Sequence, residues 1–229
     1  KTARIYGDHL LLTSDRGIMA DINKVFNVLK KPKDDYLPVL KTCKNLLVCP
    51  QFMREKIVHH IDMEIDEAKA GRKAEIIVKA NSLSDRSLIE KLYDAATVGV
   101  TIRLIVRGIY CAVNQKEFKE KIKAISIVDE YLEHARVMYF YNKGAEDIYI
   151  SSADWMTRNL DYRIEAAAKI TDKNLKKELK DILDIQLRDN VKARILDKKL
   201  SNEYIRNDKK ECRSQIETYK YLKAKTSKK

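Results

Sequence analysis

Glycine and proline are scarce in this 229-residue chain, at six and three positions, and tryptophan occurs once. With hydrophobic residues at 45%, that scarcity excludes a collagen-like or low-complexity disordered chain. No apolar run approaches the ~18 uninterrupted residues of a membrane-spanning helix. No apolar signal segment follows Lys1-Thr2-Ala3-Arg4, and with Lys rather than Met at position 1 the expectation is a piece cut from a longer protein. Cysteine is sparse too. Cys43, Cys49, Cys111 and Cys212 are scattered without a CxxC pair, which points to a reducing compartment rather than a disulfide framework. Cys43 and Cys49 with His59 and His60 fit no common zinc spacing, so these two thiols, flanking Leu46-Leu47-Val48, read as buried and structural. The glycine-rich phosphate loops are missing as well: there is no GxxxxGK[ST], no GxGxxG after a strand and no GxSxG. Any phosphate chemistry has to use side chains.

Positive charge is what the chain has in excess, 46 basic against 34 acidic residues and a net +12. The segment Thr171 to Lys229 holds 18 basic and 10 acidic residues, so +8 of that excess lies in the last quarter. Such a tail invites a nucleic acid, a phosphate polymer or an acidic membrane surface. An ordinary solvated helix is the reading the tail favours when taken alone, because Lys176, Lys177 and Lys180 alternate with Leu175, Leu179, Ile182, Leu183 and Leu187 at amphipathic spacing. The ending Lys223 to Lys229 is expected to fray.

The length suits one large domain or two modest ones. Helical periodicity runs through Ile18, Ile22, Val25, Phe26 and Leu29, then Ile57, Ile61, Ile65 and Ala68, and again Leu88, Ile89, Leu92, Tyr93 and Ala96. Between these lie strand-like runs at Leu46 to Cys49, Glu75 to Ala80 and Thr101 to Val106, with Asn81-Ser82 and Ser84-Asp85 as caps for the third helix. The alternation predicts an α/β fold with a mixed sheet flanked by helices. Ala135 to Tyr141 and Asp147 to Ser151, joined by a Gly-containing five-residue connection, predict a hairpin. Tyr162 to Ile170 predicts a further strand, and helices are expected from about Asn174 and Asp208. A boundary is expected at Lys30 to Pro38, where Lys-Lys-Pro-Lys-Asp-Asp interrupts the pattern, giving segments 1–38 and 39–229.

The chemistry concentrates around Leu132-Glu133-His134-Ala135-Arg136 and the string Ser151-Ser152-Ala153-Asp154-Trp155. A His opening a strand with a cation two positions on places both on one face. Imidazole, with a pKa near 6.5, suits attack on or protonation of a phosphoryl group, and the small residues after the next strand allow close approach of an anion. A lone His beside a strand also serves structure alone. Arg107 follows the strand Ile102 to Val106 directly, where open α/β sheets place ligand-binding residues. Arg163 and Glu165 alternate with Tyr162 and Ile164, either as a structural ion pair or as an Arg and carboxylate sharing a face toward a charged substrate.

The segment Ile148 to Glu165 (IYISSADWMTRNLDYRIE) resembles the signature of the ATP-dependent polyphosphate kinase family. Ser126 to His134, Leu104 to Gly108, Lys1 to Tyr6, Asn81-Ser82-Leu83 with Asp85, and Ser201 to Tyr204 resemble it in the same order. The resemblance implies a phospholipase-D-like domain (39–229) preceded by the C-terminal remnant of a second such domain (1–38). It implies reversible transfer of the terminal phosphate of ATP to polyphosphate, with magnesium, through a phosphohistidine. His134 matches the second of two family histidines, which assists transfer or binds phosphates; the phosphorylated one would precede Lys1, in a part of the enzyme this chain lacks. Tyr6 matches a nucleotide-contacting tyrosine, Arg107 a phosphate-binding arginine, and Arg163 with Glu165 the polar wall of the pocket. No metal ligand is expected within the chain, and the implied partners are ATP or ADP, polyphosphate, the missing N-terminal domains and a second copy. A cytoplasmic setting, at most peripheral to the inner membrane face, goes with this. Tyr110 departs from the family, which has a smaller residue there. A basic nucleic-acid-binding module and a phospholipase-D-like phosphodiesterase are the alternatives.

Overall fold

The computed structural model describes residues 5–30, 36–113 and 118–227. Three of its helices begin where the preceding side chain accepts the first free backbone N–H groups. Asp15 caps α1 (Arg16–Leu29) through the N–H of Ile18 at 2.8 Å. Asp85 caps α4 (Arg86–Val98) through Leu88 at 3.1 Å, and Asp172 caps α5 (Lys173–Leu187) through Asn174 and Leu175. Gly99 ends α4 at φ 104°, a left-handed conformation that glycine adopts without strain, and turns the chain into a strand. The remaining helices are α2 (Leu37–Leu40), α3 (Phe52–Lys69) and α6 (Ser214–Thr226).

The strands are β1 (Tyr6–Gly7), β2 (Leu46–Val48), β3 (Glu75–Ala80), β4 (Thr101–Val106), β5 (Lys123–Ile127), β6 (Leu132–Glu133), β7 (Arg136–Phe140), β8 (Asp147–Ser151), β9 (Ala166–Ile170) and β10 (Ala193–Ile195). Eight of them form one mixed sheet in the order β10-β5-β4-β3-β7-β8-β9-β2. β3, β4 and β5 are parallel, and antiparallel pairs extend the sheet on both sides. β1 and β6 make a separate parallel ribbon, Tyr6 opposite Leu132 and Gly7 opposite Glu133. Apolar side chains fill both faces: Ile76, Val78, Leu104 and Phe140 meet α3 and α4 on one, while Ile77, Ile105, Val137 and Tyr139 meet Leu183 of α5 on the other. The expected mixed α/β sheet with flanking helices is thus observed.

α1 packs its inner stripe against a third cluster containing Leu40, Leu46 and Val48. It is anchored by Asp21, which is buried and accepts the N–H groups of Lys44, Asn45 and Leu46 at 2.9, 2.6 and 3.2 Å. Its outer face is left uncovered, with Met19 49%, Phe26 60% and Leu29 59% exposed. The interruption expected at Lys30 to Pro38 falls mostly on residues outside the described ones; Pro38 stands in the first turn of α2.

Three expectations change. The run Tyr162 to Ile170 is a strand only over Ala166–Ile170, where it pairs with β8 on one side and β2 on the other; Arg158–Tyr162 winds into a π-helical turn instead. The last helix starts at Ser214 rather than near Asp208 and continues to Thr226, past the expected fraying point. Asp189 explains the late start: its carboxylate accepts the N–H of Ser214 at 2.7 Å and so supplies a cap from another part of the chain. Cys49 is buried as expected, its thiol pushed up to about 12 by burial and then by Glu165, but Cys43 is only half-buried.

His60 gives the fold a pH limit. Its ring stacks on Phe140 at 4.7 Å and its Nε2 lies 2.9 Å from the Tyr149 hydroxyl, while Nδ1 has no hydrogen-bond partner. Burial lowers its pKa to about 4 against the opposing pull of Asp147, with Lys169, His59 and Lys56 adding to the lowering. The unfolded chain therefore takes up a proton near pH 6.5 that the folded one refuses until about 4, so stability falls as pH drops through that window. The loss is on the order of 2–3 kcal/mol. Urea unfolding at pH 7 and pH 5 should show it in the wild type and a smaller fall in His60→Phe; equal falls would mean that other groups set the acid limit.

Candidate functional site

The sheet converges at the C-terminal ends of β3 and β4 with the start of β7 and the end of β8. Gly108, just past β4, approaches so closely that a Cβ there would lie 2.9 Å from the Asn81 carbonyl oxygen, and its N–H donates to that oxygen at 2.8 Å. This contact seats Arg107 against the loop after β3, where its guanidinium donates to the Asn81 side chain. The Nε of Arg107 is buried with no protein acceptor. An unmet donor beside an open strand end is what an incoming anion would satisfy.

His134 directly follows β6, in the two-residue link that leads to β7. Its Nδ1 lies 3.3 Å from a carboxylate oxygen of Asp8, and Tyr6 meets its ring edge-on at 4.8 Å. The guanidinium of Arg136 lies along the other side, 3.2 Å from Nδ1 and donating to the His134 carbonyl oxygen at 2.9 Å. The expected shared strand is not formed, since His134 precedes the first strand residue Arg136, yet the two side chains meet; Arg136 is nevertheless no free cation. It is pinned to buried Asp154 by two bonds of 3.1 and 3.0 Å, and Asp154 also accepts the N–H groups of Asn81 and Ser82. One carboxylate thereby ties the loops after β3 and β8 to the base of the imidazole.

A cleft of about 650 Å³ opens beside this arrangement, with Asp8, His9, His134, Ser152, Arg163 and Glu165 in its wall. Glu165 is held by the hydroxyl of Ser152 and by Asn159 Nδ2 at 2.8 Å, whereas Arg163 is more than half exposed and reaches Glu165 only at 4.0 Å. The two precede β9 rather than lying in it, yet they meet. Tyr6 borders the cleft through His134. Arg107 lies apart, on the Asn81 side of the same sheet end. His9, which carries no sequence signal, is a wall residue whose pKa burial lowers first and Lys79 second. Asp8 carries no sequence signal either; Asp154 stands within the string that carries the resemblance without a role read for it, and Arg136, expected as a cation beside His134, is bound to Asp154.

Among the described residues no three His, Cys, Asp or Glu side chains converge as a metal centre requires. None of the described helices is long and apolar enough to cross a membrane.

An imidazole beside a carboxylate and a guanidinium thus faces a cleft at the strand ends of a mixed α/β sheet. The profile described as polyphosphate kinase C-terminal domain 2 matches residues 46–215, and the chain belongs to that family. It is 48% identical over 226 residues to a polyphosphate kinase of Yersinia pestis and 45% identical to that of Escherichia coli K12, covering 98% of this chain and 32% of each relative. The crystal structure of polyphosphate kinase from Porphyromonas gingivalis superposes with a TM-score of 0.91 at 41% identity, over 100% of this chain and 35% of that one. The chain thus spans about a third of the length of the relatives it matches.

Proposed function

We infer that the chain supplies half of an active site that moves the terminal phosphate of ATP, taken up as its magnesium complex, reversibly onto polyphosphate through a phosphohistidine formed elsewhere in the longer enzyme. The observation that carries this reading is His134, fixed between Asp8 and Arg136 at the wall of an open cleft. Phosphoryl transfer asks for positioning and neutralised charge more than covalent chemistry. Arg107 and Arg163 supply positive charge, Tyr6 offers a ring beside His134 for a base or ribose, and Glu165 orients the polar wall. His134 holds or donates a proton at the transferring group. The uncovered apolar face of α1 supports a boundary near Pro38, with residues 1–38 completing an upstream domain that covers Met19, Phe26 and Leu29. On this reading the chain alone makes no polyphosphate.

Calorimetric titration with magnesium–ATP at low and moderate salt tests the assignment. Binding should persist with salt and weaken about 10- to 100-fold in Arg107→Ala, the worth of one charged guanidinium–phosphate contact. Equal binding by both proteins that vanishes with salt would remove Arg107 from the site and favour a basic nucleic-acid module.

A further inference from the structure

The segment that carries His134 is not part of the main sheet. β6 pairs with β1 in a ribbon two residues long, and such a ribbon is marginal unless something else holds it. The holding groups come from the far end of the chain. Arg213 makes two bonds to Asp129, at 2.8 and 2.7 Å, and Gln215 in the first turn of α6 brackets Tyr131, accepting its N–H at 3.0 Å and donating to its carbonyl oxygen at 2.8 Å. The same Gln215 amide donates to Glu133, at 2.8 Å. The other oxygen of Glu133 takes Gln186 of α5 at 2.9 Å and the ammonium of Lys79, which is buried near the C-terminal end of β3. Glu133 is adjacent to His134, so its carboxylate joins the rigid sheet centre and both C-terminal helices to the residue before the imidazole. On the opposite side the N–H of His134 donates to the Gly7 carbonyl oxygen at 3.1 Å, which couples Tyr6 and Asp8 to the same mount.

We propose that Gln215 and Glu133 are positioning residues for His134 and Tyr6, and that the start of the C-terminal helix sets the place of the imidazole in the transfer site. The inference rests on the functional reading above, but its geometry can be tested apart from it. A brace that served the C-terminal helix alone would alter stability when cut and leave the His134–Tyr6 contact intact. A positioning mount does the reverse: the fold survives, and the contact and the chemistry suffer. A misplacement of about 1 Å at a reacting group costs on the order of 100-fold in rate.

The experiment uses Gln215→Met, which keeps the side-chain volume and removes all three bonds. In the 229-residue chain, proton NMR should show a cross-relaxation peak between the Tyr6 and His134 rings in the wild type. In the variant this peak should weaken several-fold while the indole resonance of buried Trp155 stays in place. In the longer enzyme, kcat should fall about 10- to 100-fold with KM for magnesium–ATP changed less than about threefold. A retained ring contact overturns the proposal, as does an unchanged kcat in an active enzyme. Should the Trp155 signal show that Gln215→Met does not fold, Arg213→Lys gives the same readouts with a milder cut. A wild-type longer enzyme that makes no polyphosphate would end the functional reading, while the ring contact would still decide the positioning role.

Discussion

Asp154→Ala is expected to destabilise the chain by about 3–5 kcal/mol, the usual cost of stripping the partner from a buried charge. The carboxylate accepts four bonds: the backbone N–H of Asn81 at 2.8 Å and of Ser82 at 3.0 Å, and two from Arg136. Its removal leaves the Arg136 guanidinium, only 12% exposed, without a counter-charge, and two backbone donors without acceptors. Asp154→Asn should be nearly as costly, since an amide turns donors toward donors and carries no charge. The double variant Arg136→Met/Asp154→Ala should be less destabilised than the sum of its parts, because the orphaned cation goes with its partner. Urea midpoints at constant slope measure all three. A single-variant loss below about 1 kcal/mol would show that water reaches Arg136 and that Asp154 is dispensable to the fold.

The same residue marks where the sequence stops being legible. The periodic helices, the parallel pair β3 and β4 and the hairpin β7–β8 can be read because each announces itself within 15 or so residues of local pattern. His134 and Arg136 stand out as a His and a cation two positions apart, although His134 lies outside the strand, and Arg107 by its place after one. What Arg136 does is not readable, because its partner Asp154 looks like one more polar loop residue until the fold brings the two loops together. Tyr6 and His134 lie 128 positions apart, and the two-residue ribbon that joins them has no period to detect. β5 and β10 were missed for a related reason, being short strands whose pairing rather than composition makes them strands. The late start of α6 depended on Asp189, a cap supplied from 25 residues away. Local chemistry thus singles out one histidine and one arginine, and long-range hydrogen bonds decide which cations are already paired.

That distinction separates the arginines in function. Arg136 is committed to Asp154, so its replacement should unfold or loosen the site before it alters phosphate binding, whereas Arg163 is exposed and Arg107 keeps an unmet donor. Only the latter two have capacity left for phosphate oxygens.

His134→Ala in the longer enzyme is expected to lower kcat by about 10²- to 10⁴-fold, the range that a positioned acid or base contributes. The imidazole is partly exposed, at 29%, and its neighbours Asp8, Tyr6 and Arg136 have other partners or solvent, so the fold should tolerate the truncation. KM for magnesium–ATP should rise modestly, since Arg107 and Arg163 still neutralise phosphate charge. The phosphoenzyme should form more slowly from labelled ATP yet still form, with the label on a histidine outside this chain. Mapping of base-stable, acid-labile phosphate by peptide mass spectrometry checks the assignment directly. Label recovered on the peptide containing His134 would make it the nucleophile and reverse the roles inferred here. An unchanged kcat would remove it from the chemistry, leaving its contacts with Asp8 and Arg136 as a structural feature of the sheet end.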